Sequence, residues 1–251
     1  GGEQEKRMVR SYVKEVPTPI LPTPKYGNLP DGVYPPSEDS FLFLDALELD
    51  REHLRGVRPR VVVEIGPGSG IVTVFVARLM RHLFASDGGA QYIAVDVNPR
   101  AARCTKKTAV ENGVSHLVDV FQGDALTSLQ DRLEGHVDLL LCNPPYVPSP
   151  VEAVPTLDAV RSGAPSAGAA AAWAGGVDGN TLTHRLLPAA ARLLSPRGCF
   201  YLVLLKENDP GHLAHTLAPS LSLSATHILS RQARNEFLSV YRFSPSPSIG
   251  H

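Results

Sequence analysis

The feature that most constrains this chain is a short β-branched run, Val61-Val62-Val63-Glu64-Ile65, that stops at Gly66-Pro67-Gly68-Ser69-Gly70. A continuous apolar run of this kind suits a strand buried on both faces of a sheet. The pattern then repeats. A helix near 70–83 leads to a strand near 91–95, a helix near 99–112, a strand near 117–121 and a short helix near 126–133. Val137-Asp138-Leu139-Leu140-Leu141-Cys142 reads as a fourth strand. After an irregular stretch come a helix near 180–194, a strand at Cys199–Leu205 and a helix near 210–218. Runs around 223–229 and 237–243 form an antiparallel ribbon. Alternating β and α elements at this spacing imply an α/β fold with a parallel sheet covered by helices on both faces.

Domain organisation follows from composition along the chain. Residues 1–33 carry Pro17, Pro19, Pro22, Pro24 and Pro30 with little apolar periodicity, and read as a flexible leader. Order is expected from Tyr34, with an amphipathic helix over Phe41–Leu47. Ser37 is its N-cap, Ser40 stands in its first turn, and Glu38 and Asp39 suit its positive end. A single domain over 34–244 and a disordered tail over 245–251 complete the expectation. Within the domain, the Ala- and Gly-rich stretch at about 150–170 reads as a disordered loop insertion, or alternatively as a lid over a substrate.

Composition excludes several classes. Hydrophobic residues make up 43% of the chain, enough for a sizeable core. With 24 basic and 25 acidic side chains the net charge is −1, which argues against a stand-alone nucleic-acid binder. Cys104, Cys142 and Cys199 form no CxxC pair, so neither a disulfide framework nor a zinc ribbon is expected. The nine His residues include no HExxH pair, and no metal site is expected. No apolar run approaches the ~20 residues that span a bilayer, and the polar start shows no signal peptide. A cytoplasmic, and also nuclear, location is the expectation.

In an open parallel sheet, ligands sit beyond the carboxyl ends of the strands. The first strand ends in G-x-G-x-G, not the G-x-G-x-x-G of a dinucleotide site, because the sixth position is Ile71. Glu64, two residues before Gly66, repels a pyrophosphate and suits a ligand carrying an ammonium or sulfonium. Asp96 ends the second strand, where a carboxylate can accept both hydroxyls of a ribose. Asn98, just before Pro99, is the better helix cap, which leaves Asp96 for a ligand. Asp124 follows the third strand and can accept from an adenine amino group, or serve as a plain turn residue. Three acids at three successive strand ends resemble the class I S-adenosylmethionine-dependent methyltransferases, with a Rossmann-like sheet and an antiparallel C-terminal strand. The resemblance implies that Gly66 and Gly68 pass the methionine moiety, Asp96 holds the ribose, and Asp124 with Ala125 meets the adenine. It places Glu64 near the methionine ammonium.

The fourth strand ends in Asn143-Pro144-Pro145-Tyr146. Two prolines stiffen the backbone there and cannot continue a ladder. The Asn143 amide oxygen and the Pro144 carbonyl are then two fixed acceptors suited to a planar NH2 group. Such a grip favours pyramidalisation and aims the nitrogen lone pair at a methyl carbon. Tyr146 would offer the flat group an apolar face. The tetrapeptide resembles the N-P-P-Y signature of amino- and amide-nitrogen methyltransferases, and by itself it leaves glutamine and adenine open.

Further stretches narrow the resemblance. They are Tyr34-Pro35-Pro36-Ser37-Glu38-Asp39-Ser40, Ala171-Ala172-Trp173-Ala174-Gly175-Gly176-Val177-Asp178-Gly179, Lys206-Glu207-Asn208, and Leu229-Ser230-Arg231-Gln232-Ala233 with Leu238-Ser239-Val240. Together they are similar to the HemK-like glutamine methyltransferases of the eukaryotic and archaeal branch, over roughly residues 34–243. That resemblance implies methylation of the Gly-Gly-Gln glutamine side chain, at N5, in a class 1 translation release factor, with S-adenosylmethionine consumed and S-adenosylhomocysteine released. It implies a heterodimer with a small zinc-binding activator subunit. It places Ser40 and Asn143 at the cofactor and Asn143, Pro144, Pro145, Tyr146 and Val147 at the target glutamine, with Asn143, Pro144 and Tyr146 catalytic. Plainer readings stand beside these: Trp173 as a packing anchor, the nearby glycines as turns, Asp178 as a helix cap, Arg231 in an ion pair. This chain departs from the family in having Ala170 before Ala171-Ala172-Trp173, where many relatives carry an acid, and in a longer alanine-rich insertion. Competing functions are methylation of a protein (histone) lysine, methylation of adenine N6 in nucleic acid, and a non-catalytic scaffold.

Overall fold

Each apolar run becomes a strand of one sheet. The computed structural model describes residues 29–85, 89–124, 129, 131–234 and 236–246. The strands are β1 (Val61–Ile65), β2 (Gln91–Asp96), β3 (Val118–Gln122), β4 (Val137–Cys142), β5 (Leu194–Leu205), β6 (Leu223–Ala233) and β7 (Glu236–Pro245). Their order is β3-β2-β1-β4-β5-β7-β6. The first five pair in parallel, and β7 runs antiparallel to both β5 and β6. The sheet is therefore mostly parallel with an antiparallel C-terminal pair, as expected.

Both faces of the sheet are covered. Side chains of a strand alternate between faces, and β4 shows the result. Leu139 and Leu141 enter one core with α1 (Glu38–Leu49), α2 (Arg51–Val57) and α3 (Ile71–Phe84). Leu140 and Cys142 enter a second core, with Leu186, Leu187 and Leu193 of a helix over Thr183–Leu193. All four strand residues are essentially inaccessible. The continuous apolar run in the sequence is the direct consequence of this double burial.

Helix α4 (Pro99–Glu111) starts as its sequence indicates, with Asn98 as cap: its Oδ1 accepts from Arg100 N at 2.9 Å. Gly70, at φ +82°, lets α3 start close to α4; a Cβ there would lie 2.7 Å from the Thr105 Cα. Among the described residues no helix is long and apolar enough to cross a membrane. The three cysteines are buried and free.

Three expectations about domain limits are corrected. The flexible leader expected over 1–33 does not extend to 33: Val33 is buried against Ala101 and Cys104, with Leu29 packed alongside. Gly32 O also accepts from Asn98 Nδ2 at 2.7 Å. The 150–170 stretch is not a loop insertion. It forms a 3-10 turn (Val151–Ala153) and two short helices, α5 (Leu157–Arg161) and α6 (Pro165–Ala171). Its low complexity conceals good helix formers, since alanine has the highest helix propensity. Residues 245 and 246 do not belong to a disordered tail, because Pro245 closes β7 and Ser246 N donates to Ser222 O at 2.8 Å. Residues 1–28 and 247–251, and part of the helix expected near 126–133, lie outside the described residues.

Gly70→Ala tests the helix contact. It imposes a left-handed φ on a side-chain-bearing residue and forces its Cβ into α4. A loss of about 1–3 kcal/mol or more is expected by urea denaturation; an unchanged midpoint would show that the two helices separate freely.

Candidate active site

The strand order reverses between β1 and β4, which pair in parallel with Ile65 opposite Cys142. Crossovers depart in opposite directions there and leave a crevice beyond the strand ends. A cavity of about 280 Å³ occupies it. Register carries the strand tips to its rim. Ile65 also lies opposite Val95, and Asp96 opposite Gln122, so the residues following β1, β2, β3 and β4 emerge side by side.

The glycine loop forms the floor. Gly66 and Gly68 take φ values of +68° and +57°, and nothing stands within 4 Å of the position a Cβ would occupy at either. The backbone is thus bare toward the cavity. Asp96 fixes this loop from the next strand: its Oδ2 accepts from Gly68 N at 3.1 Å and its Oδ1 from Asn98 N at 2.9 Å. Burial nevertheless pushes the Asp96 carboxyl up to about 6. Glu64 is more deeply enclosed, and burial pushes it up to about 7, although Thr73 Oγ1 donates to its Oε2. Two desolvated acids lining one cavity favour a ligand that brings positive charge, which would hold them ionised. Asp124 also lines the cavity and meets Arg185 Nη2 at 3.2 Å. Ala125 lies outside the described residues.

The reacting end is built around a carboxylate that sequence reasoning treated only as a helix-end charge. Asp39, in the first turn of α1, is buried. Its Oδ1 accepts from Ser40 N at 2.7 Å and from Ser40 Oγ at 3.3 Å. Its Oδ2 accepts from Asn143 Nδ2 at 2.9 Å and from Tyr146 OH at 3.2 Å. Asn143 lines the cavity, and its Oδ1 is buried without a hydrogen-bond partner among the described residues. A buried acceptor without a donor is costly, and what it lacks is a donor, N–H or O–H. Pro144 and Pro145 line the cavity too.

Tyr146 and Val147 do not line it. Tyr146 is buried in the first core with its hydroxyl on Asp39, so the expected stacking face is packed against protein. Val147 forms a parallel bridge to Ala174, in which Val147 N donates to Trp173 O at 3.1 Å and Gly175 N to Val147 O at 2.9 Å. The Ala-Ala-Trp-Ala-Gly-Gly stretch is therefore zipped alongside the N-P-P-Y loop. Its glycines are more than turns. A Cβ on Gly175 would lie 2.7 Å from Pro145 O, and one on Gly179 would lie 2.2 Å from Tyr146 O. Trp173 is 41% exposed and is no packing anchor. Asp178 caps no helix; its Oδ1 accepts from Asn180 N at 2.9 Å. Arg231 does form an ion pair, with Asp45 at 2.7 Å.

Asn208, a second residue whose role sequence reasoning missed, holds this loop from behind. Its Nδ2 donates to Tyr146 O at 2.9 Å while its Oδ1 accepts from Leu205 N at 2.7 Å. The Lys-Glu-Asn triplet was the available signal. The 150–170 stretch closes the other side, with Val154, Leu157, Val160 and Gly168 on the cavity wall.

S-adenosylmethionine fits these residues. The floor is bare backbone, the lining acids suit an ammonium and a sulfonium, and Asp96 keeps acceptor capacity on both oxygens. Glu64, Gly66, Gly68, Asp96 and Asp124 would hold it, with Ser40 and Asn143 adjoining. Comparison with known proteins agrees. Residues 40–160 match the family described as methyltransferase small domain. Methyltransferase HEMK2 of Mus musculus is 44% identical over 232 residues, which cover 91% of this chain and 99% of that protein. The eRF1 methyltransferase catalytic subunit mtq2 of Schizosaccharomyces pombe is 33% identical over 221 residues, 84% of this chain and 88% of that one. Among solved structures, the E. cuniculi Mtq2-Trm112 complex, responsible for methylation of the eRF1 translation termination factor, superposes with a TM-score of 0.56 at 21% identity. It covers 86% of this chain and 99% of its own.

Two outcomes follow from this geometry. Glu64 ordinarily titrates near 4.5 and here near 7. Between those values the folded chain holds a proton that the unfolded chain has lost, so this contribution favours folding at low pH and is lost as pH rises through about 7. Glu64→Gln should therefore gain stability over the wild type between about pH 5 and pH 8 in urea titrations; a difference constant with pH would contradict this. Gly175→Ala should push the Pro145 backbone aside and slow methyl transfer by about 100-fold with little change in cofactor affinity by calorimetry.

Proposed function

Because this chain belongs to the HEMK2 family of S-adenosylmethionine-dependent methyltransferases, we propose that it methylates the side-chain amide nitrogen of the Gly-Gly-Gln glutamine in a class 1 translation release factor. We propose further that it does so as the catalytic subunit of a heterodimer with a small zinc-binding activator, in the cytoplasm and also the nucleus. The observation that carries the reading is Asn143 Oδ1, buried without a partner among the described residues at the tip of β4, beside the glycine loop. The names of the relatives support the substrate: the fission yeast protein is an eRF1 methyltransferase catalytic subunit, and the E. cuniculi protein was solved with Trm112.

The chemistry follows from the donor the site lacks. An amide nitrogen is a poor nucleophile because its lone pair is delocalised into the carbonyl. Asn143 Oδ1 accepts one N–H of the target carboxamide, and the Pro144 carbonyl takes the other. Gripping both bonds turns the nitrogen lone pair out of conjugation and toward the donor. S-adenosylmethionine, when bound, supplies a methyl carbon already attached to a good leaving group. The nitrogen, once methylated, is strongly acidic and gives its extra proton to solvent. Asp39, Tyr146 and Asn208 keep the gripping atoms in place. The stiff prolines spare the loop the entropy of ordering at each turnover.

The test is methyl incorporation from labelled S-adenosylmethionine into intact release factor by the chain with its activator. Label is expected on the Gly-Gly-Gln glutamine and nowhere else. Asn143→Ala should lower kcat by about 100- to 1000-fold, the usual cost of removing one oriented catalytic hydrogen-bonding group. Label on a histone lysine or on adenine, with the glutamine unmodified, would overturn the substrate assignment.

A further inference from the structure

We propose that Asp39 is a positioning residue that decides which end of the Asn143 amide faces the substrate. The inference rests on the reading that Asn143 grips a carboxamide. A primary amide has nearly the same shape in its two flipped orientations, but one presents an acceptor and the other a donor. Packing alone distinguishes them poorly. Asp39 does so by charge: its Oδ2 can only accept, so it takes Nδ2 of Asn143 at 2.9 Å and turns Oδ1 to the opposite side. That oxygen is buried without a partner among the described residues. The flipped amide would face the carboxylate with its own oxygen and offer the cavity an NH2 group, which repels the NH2 of a target glutamine. Tyr146 OH, the other donor to Oδ2, can rotate and enforces no orientation of its own.

The other oxygen of Asp39 makes the proposal sharply testable. Ser40 N donates to Oδ1 at 2.7 Å, and a backbone N–H cannot reverse its role. In Asp39→Asn the amide oxygen must stay on Ser40, so the new NH2 group points at Asn143. Two NH2 groups then oppose each other, and Asn143 turns over to accept. The isosteric variant thus inverts the acceptor, whereas Asp39→Ala merely frees it. A residue serving only to fill space would show the reverse order, with the isostere nearly silent.

The experiment uses the chain with its activator, intact release factor and labelled S-adenosylmethionine. Asp39→Asn is expected to lower kcat about 100-fold, at least as far as Asp39→Ala. Both variants remove the same charge, so a common effect on cofactor affinity cancels in their ratio. Asn143→Asp alone should be inactive, because two carboxylates would meet. Combined with Asp39→Asn it restores both the internal hydrogen bond and an acceptor toward the cavity, and should recover about tenfold over Asp39→Asn. Recovery in the double variant supports the proposal. Near-wild-type kcat in Asp39→Asn, or a double variant no better than either single one, overturns it. The functional reading fails separately, if the wild type leaves release factor unmodified. Amide orientation is then read without substrate, from nuclear Overhauser contacts of the Asn143 Nδ2 protons. They should run to the Tyr146 ring in the wild type and be lost in Asp39→Asn, and contacts unchanged between the two would overturn the proposal.

Discussion

The parallel pairing of β1 with β4 sets everything else in place. These two strands sit at the point where the sheet order reverses, and their register puts Ile65 opposite Cys142. The residue after each strand therefore emerges at the same level, Gly66 on one side and Asn143 on the other. A glycine loop and an acceptor loop become neighbours although Gly66 and Asn143 lie 77 positions apart in the chain. Two cores hold this pairing, because alternate side chains of β4 are sealed on opposite faces of the sheet. A slip of one residue would exchange the two faces and carry the acceptor loop away from the glycines.

Buried polar groups then convert a crevice into a site. Burial raises the carboxyls of Glu64 to about 7 and Asp96 to about 6, so positive charge brought into the cavity would favour their ionised forms. Asp39 gathers Ser40, Asn143 and Tyr146 on one carboxylate. Asn208 ties the back of the same loop to the end of β5. Every one of these contacts is directional. Together they leave Asn143 Oδ1, at the tip of β4, buried without a hydrogen-bond partner among the described residues. The site is thus pre-organised, and the cost of that unsatisfied atom is carried by the apolar cores around it.

Close contacts between remote parts of the chain order segments whose local sequence gives little sign of it. The stretch at 150–170 resembled a disordered insertion because Ala, Gly, Pro and Ser carry little apolar periodicity. Its helices form because small residues let them approach other backbone closely: a Cβ on Gly168 would lie 2.7 Å from Gly32 O. The end of the leader is ordered by the same contact. The place of Tyr146 in N-P-P-Y suggests a stacking face, but its hydroxyl meets Asp39 and its ring lies in the core.

The sequence by itself determined the alternating elements, the double-sided burial of the central strands, the glycine turn and the acids at the strand tips. These are local signals, set by side-chain branching, by period and by the few residues that tolerate positive φ. It also supplied the acceptor tetrapeptide, since two successive prolines after a strand allow few backbone shapes. Only the tertiary structure decided which atoms of that tetrapeptide reach the cavity. Asp39 and Asn143 lie 104 residues apart, and no periodicity or propensity links them. Their contact exists because α1 packs against β6, β7 and α3, and a hydrogen bond between remote residues becomes visible only when packing has brought donor and acceptor within reach.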